Sequence, residues 1–212
     1  MSERREAFPV LRWMALVWML VWLPAYVKVW GWANLLHLCD AAVILTCIGL
    51  WIGNAPLISS QAVSALLAGL LWTANVGARL FTGHFFASGS EYMWDASYPL
   101  WVRLLSFFHV ALPCALIWGL WKLGYDRRGL RVQAVIAAAL LIVSRFLSAE
   151  WNLNWVYRDP LFGRSWGPGV VHVLVIWLGA VVFLYWPTHL VLRRLFGRRK
   201  QTKEEIASTI ST

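Results

Sequence analysis

Charge is the first scarcity in this chain of 212 residues. Only 14% of it is Asp, Glu, Lys or Arg, against 60% hydrophobic residues and a mean hydropathy of +0.61. Soluble domains carry about 25% charged residues, so a water-exposed globule does not fit. Cysteine is scarce too: Cys39, Cys47 and Cys114 all fall in apolar stretches, which leaves no disulfide framework. The chain has no Gly-x-Ser-x-Gly elbow, P-loop, dinucleotide-binding glycine pattern, His-Glu-x-x-His or paired Cys-x-x-Cys. No cofactor and no metal are therefore expected from motifs, and neither internal repeats nor a second soluble domain are visible.

Long apolar runs and tryptophan, 16 in all, are what the chain has instead. Apolar segments cover 9–30, 32–53, 57–80, 99–121, 132–149 and 168–192, each to be compared with the roughly 20 residues that cross a bilayer as a helix. The runs are continuous rather than alternating, which favours helices over a barrel. The first is too long for a signal-peptide core, and Trp13, Trp18 and Trp22 offer no small-residue cleavage site. The expected fold is all-α: a polytopic membrane bundle of six transmembrane helices, one domain over 1–200, with a polar C-terminal tail at 201–212.

The net charge of +9 then takes on a meaning. Arg4 and Arg5 open the chain; Arg193, Arg194, Arg198, Arg199, Lys200 and Lys203 close it. Lys122, Arg127, Arg128 and Arg131 occupy the connection between spans four and five. Six crossings put all three groups on one side, which the positive-inside rule makes cytoplasmic, both termini included. That basic face lies at the membrane surface and attracts anionic lipid, so nucleic acid is not an expected partner and membrane lipid is. Trp30, Trp32, Trp94, Trp101, Trp151, Trp155 and Trp166 gather at the outer boundary, with Trp51, Trp118, Trp121 and Trp186 near the inner one, as aromatic belts require.

Polar residues inside spans are costly and point to function. Asn34, His37 and Asp40 lie in the outer half of span two, and Asn75 and Arg79 at the outer end of span three. Arg103, Ser106 and His109 enter span four from outside, and His172 enters span six. The inner halves hold little beyond Thr46, Cys47, Thr188 and His189. An outward-opening polar cavity follows. At about 100° per residue Asn34, His37 and Asp40 form one helical stripe, with Cys39 roughly 160° from His37. At about 1.5 Å per residue His37 and Asp40 sit roughly 8–13 Å deep and His109 roughly 15 Å, compatible with contact.

Three readings suit this set. His109 and His37 can serve as general bases and Asp40 can orient or charge-balance an imidazole, while Cys39 or a water attacks an ester. Asn34, Asn152, Asn154, Arg79 and Arg103 are the candidates for holding substrate. Otherwise Asp40 pairs with Arg79 or Arg103 and fixes helix packing in a noncatalytic membrane subunit, or His37, Asp40, His84, His109 and His172 contribute donors to a metal. The connections 81–98, carrying His84, Glu91 and Asp95, and 150–167, carrying Glu150, Asn152, Asn154 and Asp159, are long enough to act as lids.

Three segments carry a resemblance. Asn34-Leu35-Leu36-His37-Leu38-Cys39-Asp40 resembles the Pro-Leu-His-Leu-Cys-Asp segment of the YwaF-like bacterial integral membrane proteins. Phe107-Phe108-His109-Val110, with Pro113 and Leu116-Ile117-Trp118, resembles their His-bearing fourth helix. Asn152-Leu153-Asn154, Asp159-Pro160-Leu161-Phe162-Gly163 and Trp166-Gly167-Pro168 are similar to the segment before their last helix. More distantly the chain is similar to the eukaryotic transmembrane ether-phospholipid acyltransferase and to androgen-induced fatty-acid-ester hydrolases. The resemblance implies a helical enzyme of the bacterial inner (plasma) membrane that hydrolyses or transfers acyl chains, with His109 at the family's histidine position. The acyltransferase reads Asn-Pro-Cys-His, which sets its cysteine opposite Leu36, so Cys39 and an activated water both remain open as the attacking group.

Overall fold

The computed structural model describes residues 8–197, and among these the regular structure is entirely helical. Arg4, Arg5, Arg198, Arg199, Lys200, Lys203 and the tail 201–212 lie outside the described residues. The helices are α1 (Leu11–Trp30), α2 (Leu38–Ile52), α3 (Ala55–Thr82), α4 (Leu100–Leu105), α5 (Phe108–Leu123), α6 (Gly129–Arg145) and α7 (Gly169–Gly197). Helix α3 is central and packs on α2, α5 and α6; α1 lies against α2 and α4, and α7 against α6.

Four helical stretches are long and apolar enough to cross a membrane: α1, α3, α4 with α5 (Leu100–Leu123), and α7. Apolar side chains such as Leu20, Leu80, Val135 and Phe183 stand exposed on the flanks, the arrangement that lipid rather than water favours. Spans two and five of the six-span expectation are shorter. Helix α2 has 15 residues and α6 has 17, so α2 reaches about 22 Å of the roughly 30 Å hydrocarbon thickness. The reason for the first is local. Gly31, at φ 81°, ends α1; a 3-10 turn follows over Trp32–Leu36, and His37 is extended at φ −58°, ψ 138°. Residues 31–37 thus run across the end of the bundle instead of opening a helix, and the expected Asn34–His37–Asp40 helical stripe does not exist as such.

Two close helix crossings explain why α3 can be central. A Cβ on Gly69 would lie 2.6 Å from the His109 carbonyl, and one on Gly129 would lie 2.7 Å from Ser59 Cβ. Pro113 has no N–H to offer the carbonyl four residues earlier, so the His109 C=O is bare where Gly69 meets it. The polar distribution also differs from expectation. Ser59, Ser60, Gln61 and Ser64 on α3, Gln133 on α6 and Tyr185 on α7 are buried in the half opposite the long connections. Gln61 donates to Ser60 Oγ at 2.8 Å, and Ser60 donates to the Leu57 carbonyl at 2.8 Å. Tyr185 ends a π-helical stretch, Ala180–Tyr185, which leads to Pro187; a ladder already widened to i+5 tolerates the missing proline N–H.

Candidate functional site

The two long connections cover one end of the bundle and touch each other. Ser88 donates to the Pro160 carbonyl at 2.9 Å, and a Cβ on Gly89 would lie 3.5 Å from the Trp155 ring. Asn75, buried on α3, anchors the first connection. Its amide oxygen accepts from the Phe86 and Ala87 N–H groups, and its nitrogen donates to the Ala87 carbonyl and Ser90 Oγ. Arg103 donates to the Met93 carbonyl at 2.8 Å. Arg79 donates to the Gly83 carbonyl and lies over the Phe85 and Trp94 rings. Both arginines therefore hold the cover; the structure does not bring either to Asp40.

The second connection is pinned by its asparagines. Asn152 and Asn154 are left-handed, at φ 41° and 51°, a region that asparagine tolerates better than most side chains. Asn152 Oδ1 accepts from Tyr157 and Arg158 N–H, and its nitrogen donates to the Arg158 carbonyl. Asn154 is buried, accepts the Leu38 N–H at 2.8 Å, and donates to the Leu36 carbonyl and Ser144 Oγ. It thus caps α2 from a residue more than a hundred positions away. His172 Nε2 meets the Trp155 carbonyl at 2.9 Å, and its Nδ1 accepts the Trp166 N–H, so this histidine is committed to the connection as well.

Asp159 organises the rest of that connection, accepting N–H groups from Leu161, Phe162 and Arg164. Burial pushes its carboxyl up, but those three donors outweigh burial and hold it below the usual carboxylate range. A depressed folded-state value contributes stability above the ordinary carboxylate range, and that contribution is lost as pH falls through the folded value. Acidification below about pH 4 is therefore expected to open 150–167 before the helices melt. Limited proteolysis against pH should reveal it, and a loop equally protected at pH 7 and pH 3 would contradict it.

Beneath the cover, Asn34 Nδ2 donates to Asp40 Oδ2 at 2.7 Å, and Cys39 Sγ lies 3.8 Å from Asp40 Oδ1. Cys39 is thus nearer this group than the helical wheel predicts, because α2 starts only at Leu38. Tyr26 of α1 shares a 2.6 Å hydrogen bond with Ser106 Oγ. Tyr92, from the cover, stands beside the Ser106 and Trp72 side chains, and Tyr26 and Tyr92 both lie within electrostatic reach of Cys39 and Asp40. Burial pushes the Tyr92 phenol up, so it stays protonated.

His109 completes the group. Its Nδ1 is 2.8 Å from the Ser106 carbonyl. A carbonyl only accepts, so Nδ1 carries the proton and Nε2 is left as the acceptor. The ring is sandwiched between Trp72, at 4.4 Å and 11°, and Phe108, at 4.1 Å and 25°. His37 is close enough to interact electrostatically with it. Trp72 Nε1 is buried and meets no acceptor in strict hydrogen-bond geometry, with the Tyr92 hydroxyl as the polar group beside it.

Sequence reasoning brought out His37, Asp40 and His109 but missed the roles of Tyr26, Trp72, Tyr92 and Ser106. Ser106 was visible as a polar residue in an apolar span; the aromatics were masked by the abundance of interfacial rings. Among the described residues, no three His, Cys, Asp or Glu side chains gather as metal ligands, and the ion pair is Asp126–Arg128 at 2.9 Å. Asp40 is therefore matched by an amide, not by Arg79 or Arg103.

The fold and this arrangement define a class: an α-helical membrane-type bundle with a polar group under a two-part cover. Neither a family model, nor a curated protein, nor a solved structure matches the chain.

Proposed function

We propose that the chain is an intramembrane lipid-processing enzyme, an acyl-ester hydrolase or acyltransferase. The carrying observation is His109 stacked on Trp72, with its Nδ1 committed to the Ser106 carbonyl so that Nε2 is the proton acceptor, in a group that also holds the Tyr26, Tyr92 and Ser106 hydroxyls. Ester attack needs a base to take the nucleophile's proton and a donor for the oxygen that becomes negative. Tyr26, Tyr92 and Ser106 surround the approach with hydroxyls, and Asn34 orients Asp40. Cys39 or a water attacks; the hydrogen-bonded position of Cys39 against Asp40 favours water. The test is fatty-acid release from a labelled ester phospholipid by the purified protein in proteoliposomes. Release above protein-free vesicles is expected, and none across ester and ether-ester lipids alike would remove the reading.

A second reading has its own support. Asp40 is only 3% exposed and satisfied by Asn34, as a noncatalytic subunit packing its helices would require.

In the proposed topology α2 with its preceding turn, and α6, complete six crossings in a bacterial inner membrane, with both termini cytoplasmic. The support is charge placement: Arg127, Arg128 and Arg193 lie at the end opposite the cover. Cysteine introduced at the exposed Ser97 in a cysteine-free background is expected to label from outside intact cells. Labelling only after permeabilisation would reverse the orientation.

A further inference from the structure

We propose that the half of the bundle opposite the cover binds an internal water molecule between α3, α6 and α7. The water donates to the Gln133 amide oxygen and joins it to the hydroxyls of Ser64 and Tyr185. The site is independent of the chemistry assigned to His109 and of the orientation of the chain.

The placement starts from the α3–α6 crossing, where a Cβ on Gly129 would lie 2.7 Å from Ser59 Cβ. Both helices run from this end toward the cover. One turn on, about 6 Å further along each axis, Gln133 of α6 stands level with Val63 and Ser64 of α3. Helix α7 closes the third side. Trp177 Nε1 donates to the Ala134 carbonyl at 2.9 Å, and the π-helical stretch Ala180–Tyr185 packs against both α3 and α6. Tyr185 is the polar side chain of that stretch, and its hydroxyl stands beside the Gln133 and Ser64 side chains.

Gln133 carries the argument. It is 1% exposed, and its Oε1 is buried yet meets no donor among the described residues. The polar groups nearest along α3 are already engaged. Ser59 Oγ accepts the Asp126 N–H, and Ser60 Oγ accepts from Gln61 while donating to the Leu57 carbonyl. A buried acceptor without a donor is costly, the more so in a bundle surrounded by lipid, and such atoms mark bound water or ligand. The chemistry selects water. Gln133, Ser64 and Tyr185 are neutral, so nothing here balances the charge of a bare ion. An internal water takes about two to four polar partners, and an amide oxygen with two hydroxyls supplies that number. Ser64 and Tyr185 are as deeply buried as the amide, at 6% and 2% exposure, which leaves access only to something small.

The experiment is hydroxyl-radical footprinting of the purified full-length protein in nanodiscs, in oxygen-18 water, read by mass spectrometry. Radiolysis of a bound water oxidises the side chain beside it, so Tyr185 is expected to take up heavy oxygen despite its burial. Gln133→Leu removes the acceptor at similar volume. It should lose most of the Tyr185 label and lower the thermal midpoint by about 2–4 °C, the shift for one buried polar contact in a chain this size. An unlabelled Tyr185 in the native protein would mean a dry site and overturn the proposal. So would a label unchanged in Gln133→Leu, which puts the water elsewhere. A midpoint that rises in Gln133→Leu would show that the amide was simply unpaired, with the same consequence. A native midpoint that rises when sodium replaces choline at constant ionic strength would assign a cation instead of water. Should Gln133→Leu fail to fold, Ser64→Ala is the milder variant. It is expected to weaken the label, and an unchanged label there overturns the site as well.

Discussion

His109→Ala is expected to cut turnover of a lipid ester by about 10²–10⁴-fold, the range that a positioned proton acceptor contributes, while the protein still elutes as a folded species in detergent. The Ser106 carbonyl fixes the tautomer, so no other nitrogen at this position can take over the proton. Loss of the ring also removes stacking on Trp72 and Phe108, worth about 0.5–1.5 kcal/mol per aromatic pair. His109→Phe separates the two effects: it restores the stack and the stability but should be as inactive as alanine. Trp72→Phe keeps a ring on the histidine and deletes the indole N–H donor beside Tyr92, and is expected to lower kcat by about 10²–10³-fold. Cys39→Ser then divides the enzyme readings, since a covalent thiol mechanism loses nearly all turnover and a water mechanism keeps it. Full activity in His109→Ala would leave the noncatalytic subunit as the surviving reading.

The largest stability loss is expected at Asn154. One side chain satisfies the Leu38 N–H, the Leu36 carbonyl and Ser144 Oγ, and it is buried. Asn154→Ala leaves these groups without partners, at about 1–3 kcal/mol for each buried group left unmade. Partial relaxation makes about 3 kcal/mol a reasonable total, or about 6–12 °C in the thermal midpoint of a chain this size. Asn154→Gly relieves the left-handed backbone, at φ 51°, without restoring any bond. It should therefore remain close to alanine; recovery to the native midpoint would show that backbone conformation, not the three bonds, is what Asn154 supplies.

How much was legible in the sequence varies by element. The segments 9–30, 57–80, 99–121 and 168–192 correspond to helices Leu11–Trp30, Ala55–Thr82, Leu100–Leu123 and Gly169–Gly197, because unbroken apolar runs have few other ways to satisfy their backbone. The segment 32–53 was misjudged at its start. Its apolar residues continue through 32–36, but the positive φ of Gly31 and the cap from Asn154 decide that the α-helix begins at Leu38. Hydropathy registers neither. The inner polar group at Ser59, Ser60, Gln61, Ser64 and Gln133 was passed over because short polar side chains barely lower the hydropathy of a long apolar run.

Composition and run length alone determined that the chain is helical and of membrane type, since scarce charge and long apolar stretches leave no water-soluble solution. They also made His37, Asp40 and His109 conspicuous, because ionisable groups are rare in such stretches. The partners of those residues were decided only by the tertiary structure. Asn34 reaches Asp40 through a turn rather than along a helix, Trp72 reaches His109 across the α3–α5 crossing that Gly69 permits, and Asn154 reaches Leu38 across more than a hundred residues. Periodicity records which face of one helix is apolar; it carries no information about which residue of a distant segment will meet it.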